Sequence, residues 1–329
     1  MQPFEAVLNV VTIGGGGGHS AVIKALKDLP ISLTALCNTV DDGGGTGKLV
    51  REYGVHSGGD VRQVLTTLGG EKAELLQYRF SEGSLSGYAL GSLLMAGIEK
   101  SSGLFQKAID EIRFWFQISH QVAPITENTP VLHARTKSGK EIVGQAEIVR
   151  FLWSQSDPIE TLWISPAESP LSEEARQALQ EADYIIIPMG DLYSSIAPSF
   201  CISELQNMWS TLKAKIIWLP NVAVTPGHVH YVKQSEALKF LQTLIPSFQP
   251  NIIITQSGEL SESVKKNLAD KSYGVSINDI EDSQNTKIVR EFLVDENFVP
   301  QKVAGDTIER SPIRYDIEKL KSVFEKILV

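Results

Sequence analysis

The sequence is poor in cysteine, in net positive charge and in long apolar runs. Its 329 residues include two cysteines, Cys37 and Cys201, which argues against a disulfide framework and for a reducing setting. Acidic residues outnumber basic ones by 39 to 30, and the net charge of −9 provides no global basic field to attract nucleic acid or anionic lipid. Because no apolar stretch is long enough to span a bilayer and no signal segment opens the chain, we expect a cytoplasmic protein without a membrane span.

What the chain does contain is an alternation of short apolar runs with helical patterns. Strand-like runs occur at 7–13 and 32–38 and in "TLWISP", "ADYIIIP", "AKIIWLP" and "PNIIIT"; helical patterns occur at 20–28, 59–69, 171–181, 199–213, 234–244 and in the closing "DIEKLKSVFEKIL". Repeated strand-helix units with β-branched runs indicate a parallel sheet that is covered on both faces. We therefore predict an α/β fold, Rossmann-like and doubly wound, with a mainly parallel sheet.

Two insertions are predicted in the middle of this sheet. Consecutive helical patterns predict a helical insertion over about 70–118. Ser138 and Gly139 separate two strand-like halves, which predicts a β-hairpin over about 131–149. No internal repeat or obvious linker divides the chain, so we predict a single domain over residues 1–329.

A run of five glycines, Gly14 to Gly18, lies between the first predicted strand and the first predicted helix, in "VVTIGGGGGHSAVIKALKDLP". Such a turn lets main-chain N–H groups approach a phosphate, and the helix N-terminus adds favourable partial charge. A tight turn that binds nothing is the alternative. No Gly-Lys-Ser/Thr follows, so a Walker A loop is absent, and the third glycine of a dinucleotide fingerprint would fall on His19. A nicotinamide enzyme is therefore a poor fit.

A second glycine-rich region follows the second predicted strand, in "CNTVDDGGGTGKLVREYGVHSGGDVRQVL". The adjacent carboxylates of Asp41 and Asp42 are suited to accepting ribose hydroxyls or to holding Mg²⁺ on a diphosphate. The nearby cations Lys48 and Arg62 are suited to neutralising phosphate charge. The alternatives are a solvated turn at Asp41-Asp42 and a helix N-cap at Asp60.

Two further polar clusters follow later strand-like runs. Gly190, Asp191, Tyr193, Ser194 and Ser195 come after "YIII", while Asn221 and the Pro226-Gly227 turn come after "KIIWL". Hydroxyls, an amide and exposed N–H groups at strand ends suit a polar, neutral ligand part such as a sugar or a base. The two serines are equally well explained as helix-capping residues.

The segments "GGGGGHSAVIKAL", "NTVDDGGGTGKLV", "GGDVRQVL", "IIIPMGDLYSSIAPSF" and "PNVAVTPG" together resemble the CofD/YvcK family, and the YvcK (gluconeogenesis factor) branch more than the CofD branch. The resemblance runs from about Val10 to Leu328. It implies a Rossmann-like fold with a nucleotide-derived ligand at the carboxyl edge of the sheet. YvcK-like members bind UDP-sugars and act between central carbon metabolism and cell-envelope synthesis. CofD-like members transfer a phospholactyl group from a guanine dinucleotide to the deazaflavin Fo with Mg²⁺.

The resemblance and the clusters together predict a set of ligand-binding residues. They are Gly15, Gly16, Gly18, His19, Asp41, Asp42, Gly43, Gly44, Lys48, Asp60, Arg62, Gly190, Asp191, Tyr193, Ser195, Asn221, Gly227, Tyr273 and Arg314, with Arg314 as the candidate diphosphate contact and Asp41 with Asp42 as the candidate Mg²⁺ ligands. The sequence departs from the family pattern at Asp191, which replaces a small hydroxyl residue, and at Tyr88, Ser92, His228 and Ile317.

From these residues we expect a cytoplasmic UDP-sugar-binding protein with a regulatory role in gluconeogenesis and envelope synthesis. The alternative is a Mg²⁺-dependent 2-phospho-L-lactate transferase acting on Fo, with GDP as the nucleotide partner. No catalytic residue is identified, and binding is expected to require no cofactor, with Mg²⁺ as the one candidate ion. We expect a nucleotide-derived small molecule as the partner and no nucleic acid, and homo-oligomer formation stays open.

Overall fold

The computed structural model describes residues 7–154, 157–226, 231–299 and 311–329. The strands of these ranges are β1 (Asn9–Gly14), β2 (Ser32–Cys37), β3 (Gln121–Pro124), β4 (Val131–Thr136), β5 (Glu141–Val143), β6 (Ile159–Ser165), β7 (Tyr184–Ile187), β8 (Lys215–Trp218), β9 (Ala223–Val224), β10 (Ile252–Gln256), β11 (Gly274–Val275) and β12 (Lys287–Glu291). Seven of them form the main sheet, in the order β12, β10, β8, β7, β1, β2, β3. Every pairing in this sheet is parallel. The predicted doubly wound α/β fold is confirmed.

The strand order places a crevice at one point of the sheet. The chain runs outward from β1 through β2 to β3, then returns to β7 on the other side of β1 and runs outward again through β8 and β10 to β12. The connections after β1 and β7 therefore leave the sheet in opposite directions. Ligands of open α/β sheets bind at such a switch point, beyond the carboxyl ends of the strands.

The helices of the described ranges cover both faces of the main sheet. They are α1 (Gly16–Leu26), α2 (Gly44–Tyr53), α3 (Gly59–Gly69), α4 (Leu90–Ser102), α5 (Phe105–Trp115), α6 (Gln145–Ser154), α7 (Glu173–Glu181), α8 (Ala197–Phe200), α9 (Ser203–Met208), α10 (Gln234–Leu244), α11 (Glu262–Asp270) and α12 (Ile317–Leu328), with 3₁₀ turns at Gly70–Gln77 and Trp209–Thr211 and a π-helical turn at Leu192–Ile196. None of the helices described is long and apolar enough to cross a membrane.

Two large hydrophobic clusters of described residues, one on each face of the main sheet, hold these layers together. Neighbouring residues on a strand point to opposite faces, so Val10 of β1 packs with α1, α3 and α12, whereas Val11 packs with α7, α8 and α10. Three of the four β7 residues, and three of the four β8 residues, are buried. Strands that are buried on both faces explain why "YIII" and "KIIW" are continuously apolar and do not alternate.

The structure differs from the sequence-based expectations at several elements, and two strands of the main sheet, β3 and β12, lie outside the predicted strand-like runs. Helix α1 begins within the glycine run and not at residue 20, and α2 occupies residues that were expected to form a loop. Glycine has a low helix propensity, so the sequence does not predict that either helix begins within a glycine run. The helix expected over 199–213 is divided into α8, α9 and a 3₁₀ turn, and the second half of the expected hairpin, 131–149, becomes α6 after the short β5.

A small antiparallel sheet lies beside the main one. Strand β4 pairs with β5 through the turn at Ser138 and Gly139, as expected, and with β6 on its other side. The run "TLWIS" thus belongs to this sheet and not to the main sheet. Helix α6 follows β5 and lies across the carboxyl edge of the main sheet, where it contributes to the site described next.

Candidate functional site

A cavity of about 610 Å³ opens at the switch point, beyond the carboxyl ends of β1, β2, β7 and β8. Four loops that follow these strands, helix α6 and the segment before α12 form its walls. The lining includes Gly15, Gly16, Gly17, Gly18, Asp41, Gly43, Asp60, Gln63, Gln145, Val149, Trp153, Met189, Gly190, Asp191, Ser194, Ser195, Asn221, Thr225, Tyr273, Ser311, Arg314 and Tyr315. Small-molecule sites commonly occupy roughly 300–1,000 Å³, so the cavity is large enough for a nucleotide-sized ligand.

The floor of the cavity is the N-terminus of α1. The helix begins at Gly16, whose φ of +68° favours glycine, and the N–H of Gly16 donates to Asp60 Oδ1 at 2.8 Å. The first N–H groups of a helix have no acceptor within it, so those of Gly17 and Gly18 remain available at the cavity. A helix N-terminus with available N–H groups favours an anion such as a phosphate.

The glycines of this turn differ in how much space is available for a side chain. A β-carbon on Gly15 would lie 2.0 Å from Asp60 Oδ2, and one on Gly18 would lie 1.8 Å from the carbonyl oxygen of Met189. A β-carbon on Gly17 would meet nothing closer than Arg314 Nη2, at 3.7 Å. Gly18 therefore permits close packing of α1 against the loop after β7, whereas a β-carbon on Gly17 would make only an ordinary contact with Arg314.

Two carboxylates, Asp41 and Asp60, face the cavity from one side. Asp41 accepts hydrogen bonds from the Gly43 N–H at 2.9 Å and the Ser57 hydroxyl at 3.4 Å. Burial raises the pKa of Asp41. Burial, with a contribution from the Asp41 charge, raises the pKa of Asp60 to about 7. A cation bound between these groups would favour their ionised forms.

Asp42 has a different role from its neighbour. Its Oδ1 accepts a hydrogen bond from the Ala146 N–H at 2.8 Å, so it caps the N-terminus of α6 from a distant part of the chain. A β-carbon on Gly144 would lie 2.5 Å from Asp42 Oδ2, which shows how closely the two segments approach. The cavity lining therefore includes Asp41 and Asp60 but does not include Asp42. In the described ranges no group of three or more His, Cys, Asp or Glu side chains is arranged to hold a metal, and the Asp41-Asp42 metal site stays a prediction.

The loops after β7 and β8 are tied together at the opposite side. Asn221 accepts from the Gly190 N–H at 2.8 Å and donates to the Gly190 carbonyl at 2.6 Å. Asp191 caps the π-helical turn by accepting from the Ser194 N–H at 2.9 Å and the Ser194 hydroxyl at 2.8 Å. Asp191 replaces a small hydroxyl residue of the family pattern, and its carboxylate is thus held by the turn that it caps.

The roof brings together Arg314, Tyr273 and Trp153. The Nη1 group of Arg314 donates to the Ile313 carbonyl at 3.0 Å, and its guanidinium lies 5.1 Å from the centre of the Phe298 ring. Tyr273 and Trp153 form a nearly perpendicular aromatic pair, with 6.0 Å between ring centres and 77° between planes. The cavity therefore has a cationic part above the glycine turn and an aromatic part beside α6.

A family model described as 2-phospho-L-lactate transferase CofD matches residues 10–321. The chain belongs to the CofD family. It is 31% identical over 324 residues to the "Putative gluconeogenesis factor" of Thermotoga maritima, with 97% of this chain and 99% of the relative covered. It is 26% identical to the "Gluconeogenesis factor" of Bacillus subtilis, over 97% of this chain and 98% of the relative.

A crystal structure of a UPF0052 family member from Bacillus halodurans has a similar fold, with a TM-score of 0.86 and 25% sequence identity. The match covers 98% of this chain and 99% of that one. The resemblance inferred from the sequence motifs is confirmed, since the family model and the gluconeogenesis factors both match nearly the whole chain.

Several residues that the motifs predicted as ligand contacts in this CofD-family chain lie outside the cavity lining. His19 is fully buried, its Nε2 lies 2.7 Å from the Thr12 hydroxyl, and burial lowers the pKa of His19 to about 3, so it is neutral. Tyr193 is also buried and packs edge-on against Phe240. Both side chains support the turns that line the cavity and belong to the core.

Two of the three predicted cations, Lys48 and Arg62, also lie outside the cavity lining. Lys48 is exposed on α2, where its ammonium lies 5.8 Å from the centre of the Tyr88 ring. Arg62 is buried on α3 and donates to the side chain of Gln77. Gly44 begins α2, and Gly227 and His228 lie outside the described residues. Of the predicted cations, only Arg314 therefore lines the cavity of the CofD-family fold.

Sequence reasoning missed the wall that α6 provides. Gln145, Val149 and Trp153 recur every four residues and line the cavity as one stripe. This spacing is typical of a helix, but the predicted hairpin over about 131–149 assigns Gln145 and Val149 to a strand. Asn38 was also missed; its amide donates to the Ser194 carbonyl at 3.2 Å and joins the loops after β2 and β7.

Proposed function

We propose that this CofD-family chain binds a UDP-sugar in the cavity and acts as a regulatory protein between central carbon metabolism and cell-envelope synthesis. The observation that carries the proposal is the convergence of the α1 N-terminus and Arg314 on one part of a nucleotide-sized cavity. The names of the relatives from Thermotoga maritima and Bacillus subtilis support a role in gluconeogenesis.

The diphosphate is assigned to the glycine turn. The N–H groups of Gly17 and Gly18 and the positive end of the α1 dipole provide directional donors from below. The guanidinium of Arg314 provides a positive charge from above, and Arg can contact phosphate oxygens in a bidentate manner. A diphosphate between them would receive hydrogen-bond donors from two sides. Such local groups are required because the net charge of the chain is −9 and does not itself attract an anion.

The remaining polar groups suit the neutral parts of a nucleotide sugar. Asp41 follows β2 and is suited to accepting the hydroxyls of a ribose, as acidic residues after the second strand of dinucleotide-binding folds do. Asp191, Ser195 and Thr225 line the other side, where they are suited to the hydroxyl groups of the sugar. The ligand would thus extend across the switch point, with the diphosphate at its centre.

Isothermal titration calorimetry with UDP-glucose, UDP-N-acetylglucosamine and UDP tests the proposal. Loss of a hydrogen bond to a charged group costs about 1.5–3 kcal/mol, so Arg314→Ala is expected to weaken binding by roughly 10- to 150-fold. The matched control is Arg290→Ala, which removes an exposed arginine that pairs with Asp282 and is not part of the cavity lining. The proposal fails if none of the UDP-sugars binds the wild type at millimolar concentration.

A second function, a Mg²⁺-dependent transfer of phospholactate to a deazaflavin, is favoured by one observation. Asp41 and Asp60 face the same cavity with raised pKa values, and hard oxygen ligands of this kind would hold Mg²⁺ and neutralise phosphate charge. Incubation with Mg²⁺, Fo and a guanine-linked phospholactate donor tests this function. Product formation that is abolished in Asp60→Asn would establish the transferase, and no turnover in the wild type would leave the binding role alone.

A further inference from the structure

Trp153 is an aromatic side chain that the fold leaves partly uncovered inside the cavity. It lies near the end of α6 and is 39% exposed, although tryptophan is highly buried on average. Trp209 and Trp218 are buried in the core, and Trp163 stacks against His133 at a ring distance of 5.4 Å. Among the residues that the structure describes, Trp153 is the tryptophan that lines the cavity.

The indole ring is held in place from two directions. Helix α6 is capped by Asp42 at its N-terminus and buries Ile148 and Leu152 in the core, which fixes its rotation. Tyr273 is 9% exposed and contacts the indole in a nearly perpendicular pair. Such a pair covers at most one face of the indole ring, and because Trp153 keeps 39% of its surface exposed, part of the ring surface remains for another partner.

We propose that Trp153 is the stacking platform for the nucleobase of the bound nucleotide, with Tyr273 as its support. The assignment rests on the proposed nucleotide-binding function and adds the residue that holds the base. Because every base has a flat aromatic face, stacking of this kind tolerates different bases. Trp153 therefore contributes affinity for UDP and GDP alike, and discrimination between them comes from the polar groups of the lining.

Two variants of Trp153 separate stacking from simple cavity filling. Stacking on an aromatic side chain contributes about 5- to 150-fold in affinity, so Trp153→Leu is expected to weaken UDP and GDP by a factor in this range. Trp153→Phe keeps a flat ring and is expected to retain most of the affinity. Pyrophosphate and glucose 1-phosphate lack a base, and both are expected to bind Trp153→Leu as they bind the wild type. Trp115→Leu, on the exposed surface of α5, is the control.

Fluorescence gives an independent measurement that does not depend on the leucine variant. Stacking of UDP on the indole should quench tryptophan emission in the wild type, and Trp153→Phe should lose the quench while calorimetry still shows UDP binding. Equal affinity of Trp153→Leu and the wild type for UDP would overturn the platform. A selective loss of affinity for glucose 1-phosphate in Trp153→Leu would also overturn it, because the indole ring would then contact the sugar. Absence of UDP and GDP binding to the wild type would instead overturn the proposed function, and the platform with it.

Discussion

Replacement of Gly18 by alanine is expected to destabilise the fold, whereas the same change at the adjacent Gly17 is not. A β-carbon on Gly18 would lie 1.8 Å from the Met189 carbonyl oxygen and 2.7 Å from its carbonyl carbon, so backbone must move by more than about 1 Å. At Gly17 the nearest atom is Arg314 Nη2 at 3.7 Å, an ordinary contact distance. Both residues lie in the first turn of α1, so the pair isolates packing from helix propensity.

The two variants should differ in the free energy of unfolding by a measurable amount. Overpacking costs about 1–3 kcal/mol, so Gly18→Ala is expected to lose that much. Gly17→Ala is expected to be neutral or to gain up to about 1 kcal/mol, since alanine is the better helix former. An unfolding entropy of about 2.1 cal/mol/K per residue implies a shift of roughly 1.5 °C in Tm per kcal/mol for 329 residues.

Chemical denaturation with urea, monitored by far-UV circular dichroism, compares the variants with the wild type, and thermal unfolding provides the second measurement. Equal stability of Gly18→Ala and Gly17→Ala would refute the role of Gly18 in packing α1 against the loop after β7. A larger loss at Gly17 than at Gly18 would contradict the difference in packing between the two positions.

Two further changes test the acidic side of the cavity. Asp42→Ala removes the cap on the Ala146 N–H, so it should lower the free energy of unfolding by about 1 kcal/mol and weaken UDP-sugar binding through α6. Asp42→Asn keeps an acceptor oxygen, so urea denaturation should show a smaller loss of stability and calorimetry a smaller loss of affinity. Equal effects of the two variants would contradict a capping role. Because the folded-state pKa of Asp60, about 7, lies above its usual value of 3.8, the contribution of Asp60 to the stability of the wild type falls as pH rises from about 4 to 7. Asp60→Asn still accepts from the Gly16 N–H but cannot ionise, so its stability relative to the wild type should increase over this pH range, and a constant difference in denaturation midpoints would count against the buried ionisable group.

The sequence was sufficient where the signal is local. The alternation of "VVTI", "YIII" and "KIIW" with helical patterns predicts a parallel sheet covered on both faces, because strands buried on both sides must be continuously apolar. Glycine-rich and acidic segments at the ends of these strands predict the edge at which the cavity lies. All strands of a parallel sheet end at the same edge. The order of strands and helices along the chain is therefore enough to predict that the segments after the strands lie near one another.

Contacts between distant residues decided the rest. The N-terminus of α6 is capped by Asp42, 104 residues earlier than Ala146, and this distant contact supports a helix beside the cavity where the sequence predicts the end of a hairpin. His19 has a polar side chain within a binding motif, yet the fold buries it against Thr12. By itself the sequence determined which residue types lie at the sheet edge; only the tertiary structure decided which of them face the cavity, because side-chain direction depends on packing against segments far away in the chain.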